Sequence, residues 1–285
     1  MENMEKRLDC MEDDFTQFYC SSGITKAVIG ISGGKDSTIV AALMKKFLGE
    51  KKVFLVTLPE KADDPCNDAK QVAESLGMPI EVIPIGGAIS ETIIAMDKAI
   101  GSCDHDDVVM ADINLKPRIR TAFLYRYARA KKALVINTSN LDEKLVGYAT
   151  IWGDTCGDYS PLGLLHVSQV KELGLALGVR EELVNVPPSD GLTGKTDEEN
   201  LGFSYEAVEK LSEKFRRGVF RDLDGKQLGY TDRWPFEVAC VCPPLEGQMK
   251  LSETERAITV RHNKNLFKMR SVRLRTYNPD AELFM

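Results

Sequence analysis

The sequence predicts an α/β protein with a doubly wound, mostly parallel sheet that is flanked by helices. Short, β-branched apolar runs alternate with segments of helical periodicity through the first half of the 285-residue chain, and this alternation is typical of βαβ units. A glycine-rich turn, residues 32–37, stands between the first apolar run and the helical segment after it. Turns at this point of a parallel sheet commonly bind ligands.

The secondary structure elements are predicted in chain order from apolar periodicity. Residues 1–22 form an amphipathic helix, which Gly23 ends. Buried strands are predicted at 26–31, 53–58, 80–85 and 133–137. Further helices are predicted at 38–48, 64–76, 87–100, 112–131, 204–217 and 252–266. The acidic run Asp104–Asp107 is predicted to be a solvated loop.

The last third of the chain is less regular. Residues 189–200 read as a long polar loop, and loops of that length in compact domains are usually functional or disordered. Residues 221–250 are predicted to be an irregular insertion. We expect residues 1–285 to form a single domain without a glutaminase domain.

Composition excludes several classes of protein. The net charge of −6 argues against nucleic acid as the main partner. No apolar run approaches the roughly 18 residues of a membrane span, and the charged N-terminus lacks a signal-peptide core. The seven cysteines are odd in number and irregularly spaced, as expected for free thiols in a reducing compartment. We therefore predict a cytoplasmic location.

The glycine-rich turn carries the strongest chemical signal in the sequence. Gly33 and Gly34 allow backbone N–H groups to wrap closely around an anion, and the helix behind them offers its positive N-terminal end. Ser32 and Ser37 add hydroxyl donors, and Asp36 offers a carboxylate to Mg²⁺. The alternative is an ordinary glycine turn capped by Asp36 and Ser37.

A second polar cluster, Thr138–Glu143, follows the fourth predicted strand. In a parallel sheet the carboxyl ends of the strands lie at one edge, where ligands bind. The sequence therefore predicts that this cluster and the glycine-rich turn face one pocket.

The turn Ser32–Ser37 resembles the SGGxDS loop of the N-type ATP pyrophosphatases, a Rossmann-like group that holds the pyrophosphate of ATP and transfers AMP to a substrate oxygen. Three further segments, 114–120, 138–158 and 188–205, resemble motifs of the ammonia-dependent NAD⁺ synthetases. This resemblance covers about residues 15–210. It implies ATP-dependent amidation of nicotinic acid adenine dinucleotide (deamido-NAD) by ammonia, through an adenylate, in a homodimer that uses Mg²⁺.

The resemblance also implies roles for individual positions. ATP would be bound by the turn and two later segments, namely by Ser32, Gly33, Gly34, Lys35, Asp36, Ser37, Thr138 and Thr196. Mg²⁺ would be bound by Asp36 and Glu143. Deamido-NAD or the incoming ammonia would be bound by Tyr19, Arg118, Asp154, Asp158 and Lys264. Asp36, Asp154 and Asp158 would act in catalysis.

Each of these positions also has a purely structural interpretation. Glu143 fits an ordinary helix cap or salt bridge, and Arg118 fits a solvated helix face. Asp154 and Asp158 flank glycines and fit simple turns. Cys240 and Cys242 form no zinc motif, because no second pair of ligands accompanies them.

The sequence departs from the family at Val167, where the family has a lysine that contacts an ATP phosphate. Lys35, inside the turn, is the hypothesised compensation, with His166 and Lys171 as alternatives. Lys35→Ala is then expected to weaken ATP binding more than the loss of a remote lysine. Two other functions stay open: an AMP-forming ligase or amidotransferase acting on another carboxylate, and a nucleotide-binding homologue with impaired catalysis.

Overall fold

The computed structural model of the chain describes residues 2–187, 196–217, 252–271 and 275–276. A parallel four-stranded sheet, in the order β3-β2-β1-β4, lies at its centre. The strands are β1 Ala27–Gly30, β2 Val53–Thr57, β3 Ile80–Val82 and β4 Leu134–Val135. Ala27 of β1 pairs with Val53 on one side and with Leu134 on the other.

Helices cover both faces of this sheet, which confirms the predicted doubly wound architecture. Ala27 and Ile29 of β1 belong to the core on one face, whereas Val28 belongs to the core on the other. Because side chains alternate across a strand, a strand buried on both faces is apolar at every position. This is why the apolar residues in the sequence around β1 form a continuous run rather than alternating with polar residues.

The first face is packed by α1 Glu2–Ser22, α2 Lys35–Leu48, α3 Asn67–Ser75, α7 Val167–Ala176 and α8 Glu181–Val184. The second face is packed by α4 Gly86–Ile100 and α5 His105–Lys131. A third apolar cluster joins α6 Leu141–Val146, α10 Tyr205–Arg217 and α11 Glu253–Ser271, with α9 Asp197–Leu201 beside it. A small parallel pair is formed by β5 Tyr159–Ser160 and β6 Arg275–Thr276.

One prediction is wrong at the start of α5. The run Asp104–Asp107 is not a loop, because α5 begins at His105 and Asp104 is its N-cap. The carboxylate of Asp104 accepts a hydrogen bond from the N–H of Asp106 at 2.9 Å. Acidic residues in a first turn are stabilised by the unpaired N–H groups and the positive end of the helix.

Several short elements were not predicted, among them α6, α7 and α8. Helix α9 begins inside the stretch 189–200 that was predicted to be a loop, and it ends at Leu201. The rest of that loop, and the proposed insertion 221–250, lie outside the described residues. None of the described helices is long and apolar enough to span a membrane.

Candidate active site

The glycine-rich turn connects the carboxyl end of β1 to the first residue of α2. Gly33 has a φ of +92°, a conformation that residues with a side chain rarely adopt. A Cβ atom at this position would lie 2.5 Å from the Cβ of Asp68. Both constraints admit only glycine, so the backbone of the turn is fixed against the start of α3.

The two serines of the turn shape it by hydrogen bonds. The hydroxyl of Ser32 accepts from the N–H of Gly34 at 3.2 Å. The hydroxyl of Ser37 donates to the carbonyl of Gly34 at 3.0 Å and lies 3.2 Å from the hydroxyl of Ser32. Gly34 is the N-cap of α2 and makes no side-chain capping bond. The turn is therefore built in advance around the positive end of a long helix, as anion-binding turns are.

The second segment of the site is the start of α6, just beyond β4. Asn140 and Glu143 form a capping box, in which the N–H of Glu143 donates to Asn140 at 3.0 Å and the N–H of Asn140 donates to Glu143 at 3.3 Å. The amide nitrogen of Asn140 also lies 3.5 Å from a carboxylate oxygen of Asp36. The two polar clusters, 104 residues apart, thus meet at one edge of the sheet as predicted.

A buried ammonium lies at this meeting point. The side chain of Lys35 is buried, and its Nζ donates to Oδ2 of Asp36 at 2.8 Å. Burial lowers the pKa of Lys35, but the charges of Asp36, Glu143 and Asp197 outweigh burial and raise it above its usual value. Three carboxylates from α2, α6 and α9 therefore act electrostatically on one cation, and of these Asp36 contacts it directly. We call Asp36, Glu143 and Asp197 the carboxylate cluster.

The carboxylate cluster is partly buried, and its burial and charge shift the pKa of neighbouring groups. Burial and the nearby charge of Asp36 raise the pKa of Glu143 well above its usual value. The hydroxyl of Tyr205 donates to Oδ2 of Asp197 at 3.0 Å, and burial together with these carboxylates raises the pKa of Tyr205. Carboxylate oxygens are the ligands that Mg²⁺ prefers, so the side chains of Asp36 and Glu143 offer donors that suit this ion.

Two threonines predicted to contact ATP lie in the segments that carry this cluster. Thr138 is half-buried between β4 and α6. Thr196 is the N-cap of α9, where its hydroxyl accepts from the N–H of Glu199 at 3.3 Å and donates to that carboxylate at 2.8 Å. Thr196 directly precedes Asp197, so its cap positions a member of the carboxylate cluster.

The carboxylates of Asp154 and Asp158 accept hydrogen bonds from backbone N–H groups at and near β4. Asp158 accepts from the N–H of Val135 at 2.8 Å and from the hydroxyl of Tyr125 at 3.3 Å. Asp154 accepts from the N–H of Thr150 at 2.7 Å, and burial raises its pKa to about 6. Asp154 thus stabilises a local turn, as its structural interpretation expects, whereas Asp158 ties the segment after the fourth strand to β4 and α5.

Three other residues predicted to bind deamido-NAD, besides Asp158, lie away from the carboxylate cluster. The ring of Tyr19 packs against Phe15 of α1, with centroids 5.2 Å apart. The guanidinium of Arg118 is exposed and donates to the carbonyl of Ile151 at 3.1 Å. Lys264 is exposed on α11. The structure does not join these side chains to the carboxylate cluster by any hydrogen bond or ion pair among the described residues.

Sequence reasoning assigned no role to Asn140, Asp197 or Tyr205. All three are buried at the site. The available signal was the capping pattern, in which a polar residue is followed three positions later by glutamate, at Asn140 and again at Thr196. That pattern predicts where a helix begins, but the approach of α9 to α2 depends on tertiary packing.

A second group of possible metal ligands lies at the start of α7. Oxygen or nitrogen atoms of Asp142, His166 and Glu209 lie within 4.8 Å of one another. Asp142 contacts Nδ1 of His166 at 2.7 Å with one oxygen and accepts from the N–H of Val167 at 2.7 Å with the other. Both carboxylate oxygens of Asp142, on α6, therefore bond to the start of α7 and hold the two helices together. The side chain of Val167 packs against the third apolar cluster.

Comparisons with known proteins agree on one family. The family description NAD synthase matches residues 8–230. The NH(3)-dependent NAD(+) synthetase of Methanococcoides burtonii is 39% identical over 211 residues, which cover 73% of this chain and 78% of that protein. Among solved structures, the NMN synthetase of Francisella tularensis has a TM-score of 0.68 and 27% identity, with 96% of each chain covered. The NH3-dependent NAD synthetase of Campylobacter jejuni has a TM-score of 0.64 and 25% identity, with 95% of this chain and 98% of that chain covered.

Proposed function

The chain belongs to the NAD synthase family, and from that premise we propose that it is an ammonia-dependent ligase that converts deamido-NAD to NAD⁺ at the expense of ATP, releasing AMP and pyrophosphate. The observation that carries the proposal is the contact between Asn140 and Asp36. It brings a turn that suits pyrophosphate and carboxylates that suit Mg²⁺ into one site. Adenylation by ATP uses both a pyrophosphate site and a metal ion.

The proposed first step is adenylation. The carboxylate of the nicotinic acid ring is a poor acyl donor, because its leaving group would be oxide, and transfer of AMP replaces that group. The turn formed by Ser32, Gly33, Gly34 and Ser37 would hold the pyrophosphate with its N–H and hydroxyl donors, which stabilise the negative charge that grows as pyrophosphate leaves. Thr138 would contact ATP beside them.

We propose that Asp36 and Glu143 hold Mg²⁺, with Asp197 beside them. When bound there, the ion would neutralise phosphate charge and polarise a phosphoryl oxygen. The carboxylate cluster fits this ion because carboxylate oxygens are ligands that Mg²⁺ prefers, and an oxygen of Asp36 already contacts a positive charge, the ammonium of Lys35.

The proposed second step is attack of ammonia on the adenylate. Asp154 and Asp158 would attract ammonium, and a carboxylate that is ionised near neutral pH is able to accept a proton during attack. The pKa of Asp154, about 6, meets that condition. Tyr19, Arg118 and Lys264 would contribute to binding deamido-NAD, for which the exposed guanidinium of Arg118 suits a phosphate.

A turnover assay tests this function. The purified protein is mixed with ATP, Mg²⁺, ammonium and deamido-NAD, and the NAD⁺ formed is measured. Asp36→Ala is expected to lose this activity, whereas Asp9→Ala, an exposed position on α1, is expected to keep it. An absence of NAD⁺ with the wild-type protein, under conditions in which ATP binds, contradicts the proposal.

Nicotinic acid mononucleotide is a second candidate substrate, because the chain resembles the NMN synthetase of Francisella tularensis along 96% of that structure's length. The same adenylation chemistry applies to the carboxylate of nicotinic acid mononucleotide. Comparison of kcat/KM for the mononucleotide and the dinucleotide decides between the two. Substrate-dependent exchange between ATP and pyrophosphate extends the comparison to other carboxylic acids.

We further propose that the protein is a homodimer and acts in the cytoplasm. Of the exposed large hydrophobic side chains among the described residues, six lie on the adjoining helices α4 and α5, at Ile94, Met96, Ile100, Val109, Met110 and Tyr125. A second copy of the chain would cover such a group. Free cysteines among the described residues, such as Cys66 and Cys156, support a reducing compartment.

A further inference from the structure

Lys35 occupies a position that is unfavourable for a cation by itself. It is the first residue of α2, where the helix presents its positive end, and its side chain is only 1% exposed. Lys45 and Lys46, by contrast, lie in the last turn of the same helix, where the helix dipole favours positive charge. A specific partner therefore has to compensate for the placement of Lys35.

The carboxylate cluster is that partner. Lys35 contacts Asp36 directly at 2.8 Å, and Glu143 and Asp197 contribute attractive charge. Each carboxylate comes from a different helix, and the negative charges of all three act on the ammonium of Lys35 in a partly buried site. Lys35 offsets one of these charges in the protein free of metal and nucleotide.

We propose that Lys35 is a tethered cation that shares the carboxylate cluster with the divalent metal and thereby sets the affinity of the site for that metal. The inference rests on the proposed function in one respect, namely that Asp36 and Glu143 are metal ligands. An ammonium bonded to a ligand oxygen repels a second cation and competes for the same lone pairs. The site then binds a divalent ion weakly by itself.

The nucleotide changes this balance. The phosphates of ATP bring negative charge to the glycine-rich turn, next to Lys35 and the carboxylate cluster. The ammonium then has a new partner, and a divalent ion enters with its charge offset by the phosphates. The protein would accordingly take up its metal together with the nucleotide, which prevents a bare metal ion from occupying the site without its substrate.

Titration with Mn²⁺ in the absence of nucleotide tests the inference. Isothermal calorimetry is compared for the wild type, Lys35→Met and Lys35→Arg, with Lys45→Met as a control on the same helix. Lys45 donates to the carbonyl of Leu76 rather than to the carboxylate cluster. Lys35→Met is expected to bind Mn²⁺ tighter on the order of tenfold, because a repelling charge is removed. Lys35→Arg and Lys45→Met are expected to bind as the wild type does.

Equal or weaker binding by Lys35→Met overturns the inference, and so does an absence of Mn²⁺ binding by both the wild type and Lys35→Met. Circular dichroism establishes that each variant is folded, and Lys35→Gln replaces Lys35→Met if the latter is not. The titration contains no deamido-NAD or ammonia. A protein that forms no NAD⁺ but binds Mn²⁺ tighter without Lys35 would therefore refute the proposed function and leave this inference standing.

Discussion

At the scale of single residues, Gly33 is constrained by both its backbone and its neighbour. Gly33→Ala places a side chain at a φ of +92° and a Cβ atom 2.5 Å from that of Asp68. We expect the free energy of unfolding to fall by about 1–3 kcal/mol, as for other residues held in strained conformations. ATP binding should weaken as well, because the turn has to move away from α3. Urea denaturation and nucleotide titration measure the two effects.

Gly87 in α4 provides the matched control. A Cβ atom there meets nothing within 4 Å, and the helical backbone accepts alanine. Gly87→Ala is therefore expected to raise stability by roughly 0.5–1 kcal/mol. Equal stability of Gly33→Ala and the wild type would show that the turn is not held against Asp68.

His166 should make stability depend on pH. Burial lowers the pKa of His166, but the hydrogen bond to Asp142 and the charges of Asp142, Glu209 and Glu213 raise it above its usual value. A group whose pKa is raised by folding stabilises the protein fully below its unfolded pKa, about 6.5 for histidine. That contribution is lost as the pH rises through the folded pKa. The free energy of unfolding should thus decrease as the pH is raised above about 6.5.

Substitution of His166 isolates this effect. His166→Gln should remove the decrease from a series of urea denaturations between about pH 6 and pH 9. His105→Gln is the control, because His105 is an exposed histidine on α5. A pH profile that His166→Gln leaves unaltered would mean that the pair with Asp142 contributes nothing to stability.

At the scale of elements, Thr196 at the start of α9 has two predicted roles, capping the helix and binding ATP, and two variants separate them. As an N-cap, Thr196 forms a capping box with Glu199, so Thr196→Ala and Glu199→Ala should each cost about 1 kcal/mol of stability. Of these two residues, only Thr196 is predicted to bind ATP. We therefore expect Thr196→Ala to raise the Kd for ATP and Glu199→Ala to change it little. Equal effects on the Kd would make the cap the whole contribution of Thr196.

The elements that the sequence predicted well are those whose apolar pattern has one physical cause. The strands around Val28 and Leu55 are buried on both faces, which requires continuous apolar runs. Helix boundaries were less predictable, since polar residues decide them. Asp104 starts α5 by capping it, although the same residues also fit a solvated loop. Helix α6 has only six residues, too few for a periodic signal.

The site was predictable to the extent that it depends on topology. Parallel strands bring their carboxyl ends to one edge, so the meeting of Asp36 with the segment at Asn140 followed from the order of the elements. Asp197 was not predictable, because α9 approaches α2 through the packing of Tyr205 and its neighbours. The orientation of the Lys35 side chain could not be predicted either, because the sequence does not show whether its ammonium faces a phosphate or the carboxylate cluster.

At the scale of the whole molecule, apolar exposure is uneven. Helix α5 has 27 residues, of which only Pro117 and Ala128 are buried, and α4 buries only Ile89. Helices that cover a sheet normally bury a continuous apolar stripe. The adjoining parts of α4 and α5 instead leave apolar side chains in solvent. An additional layer supplied by a second copy of the chain would restore the usual pattern of burial.

If the chain forms the proposed homodimer through the apolar surface of α4 and α5, charges placed on that surface should prevent association. Ile94→Asp combined with Met110→Asp introduces two charges at side chains that are 52% and 54% exposed in the single chain. Because a charge is costly to bury without a partner, we expect the variant to be monomeric by light scattering, at a concentration where the wild type has twice the mass. Leu175→Asp, at a position that is 52% exposed on α7, should leave the mass of the wild type unchanged. If the double variant also keeps the mass of the wild-type dimer, the copies associate through another face, and the apolar surface of α4 and α5 is free for a different partner.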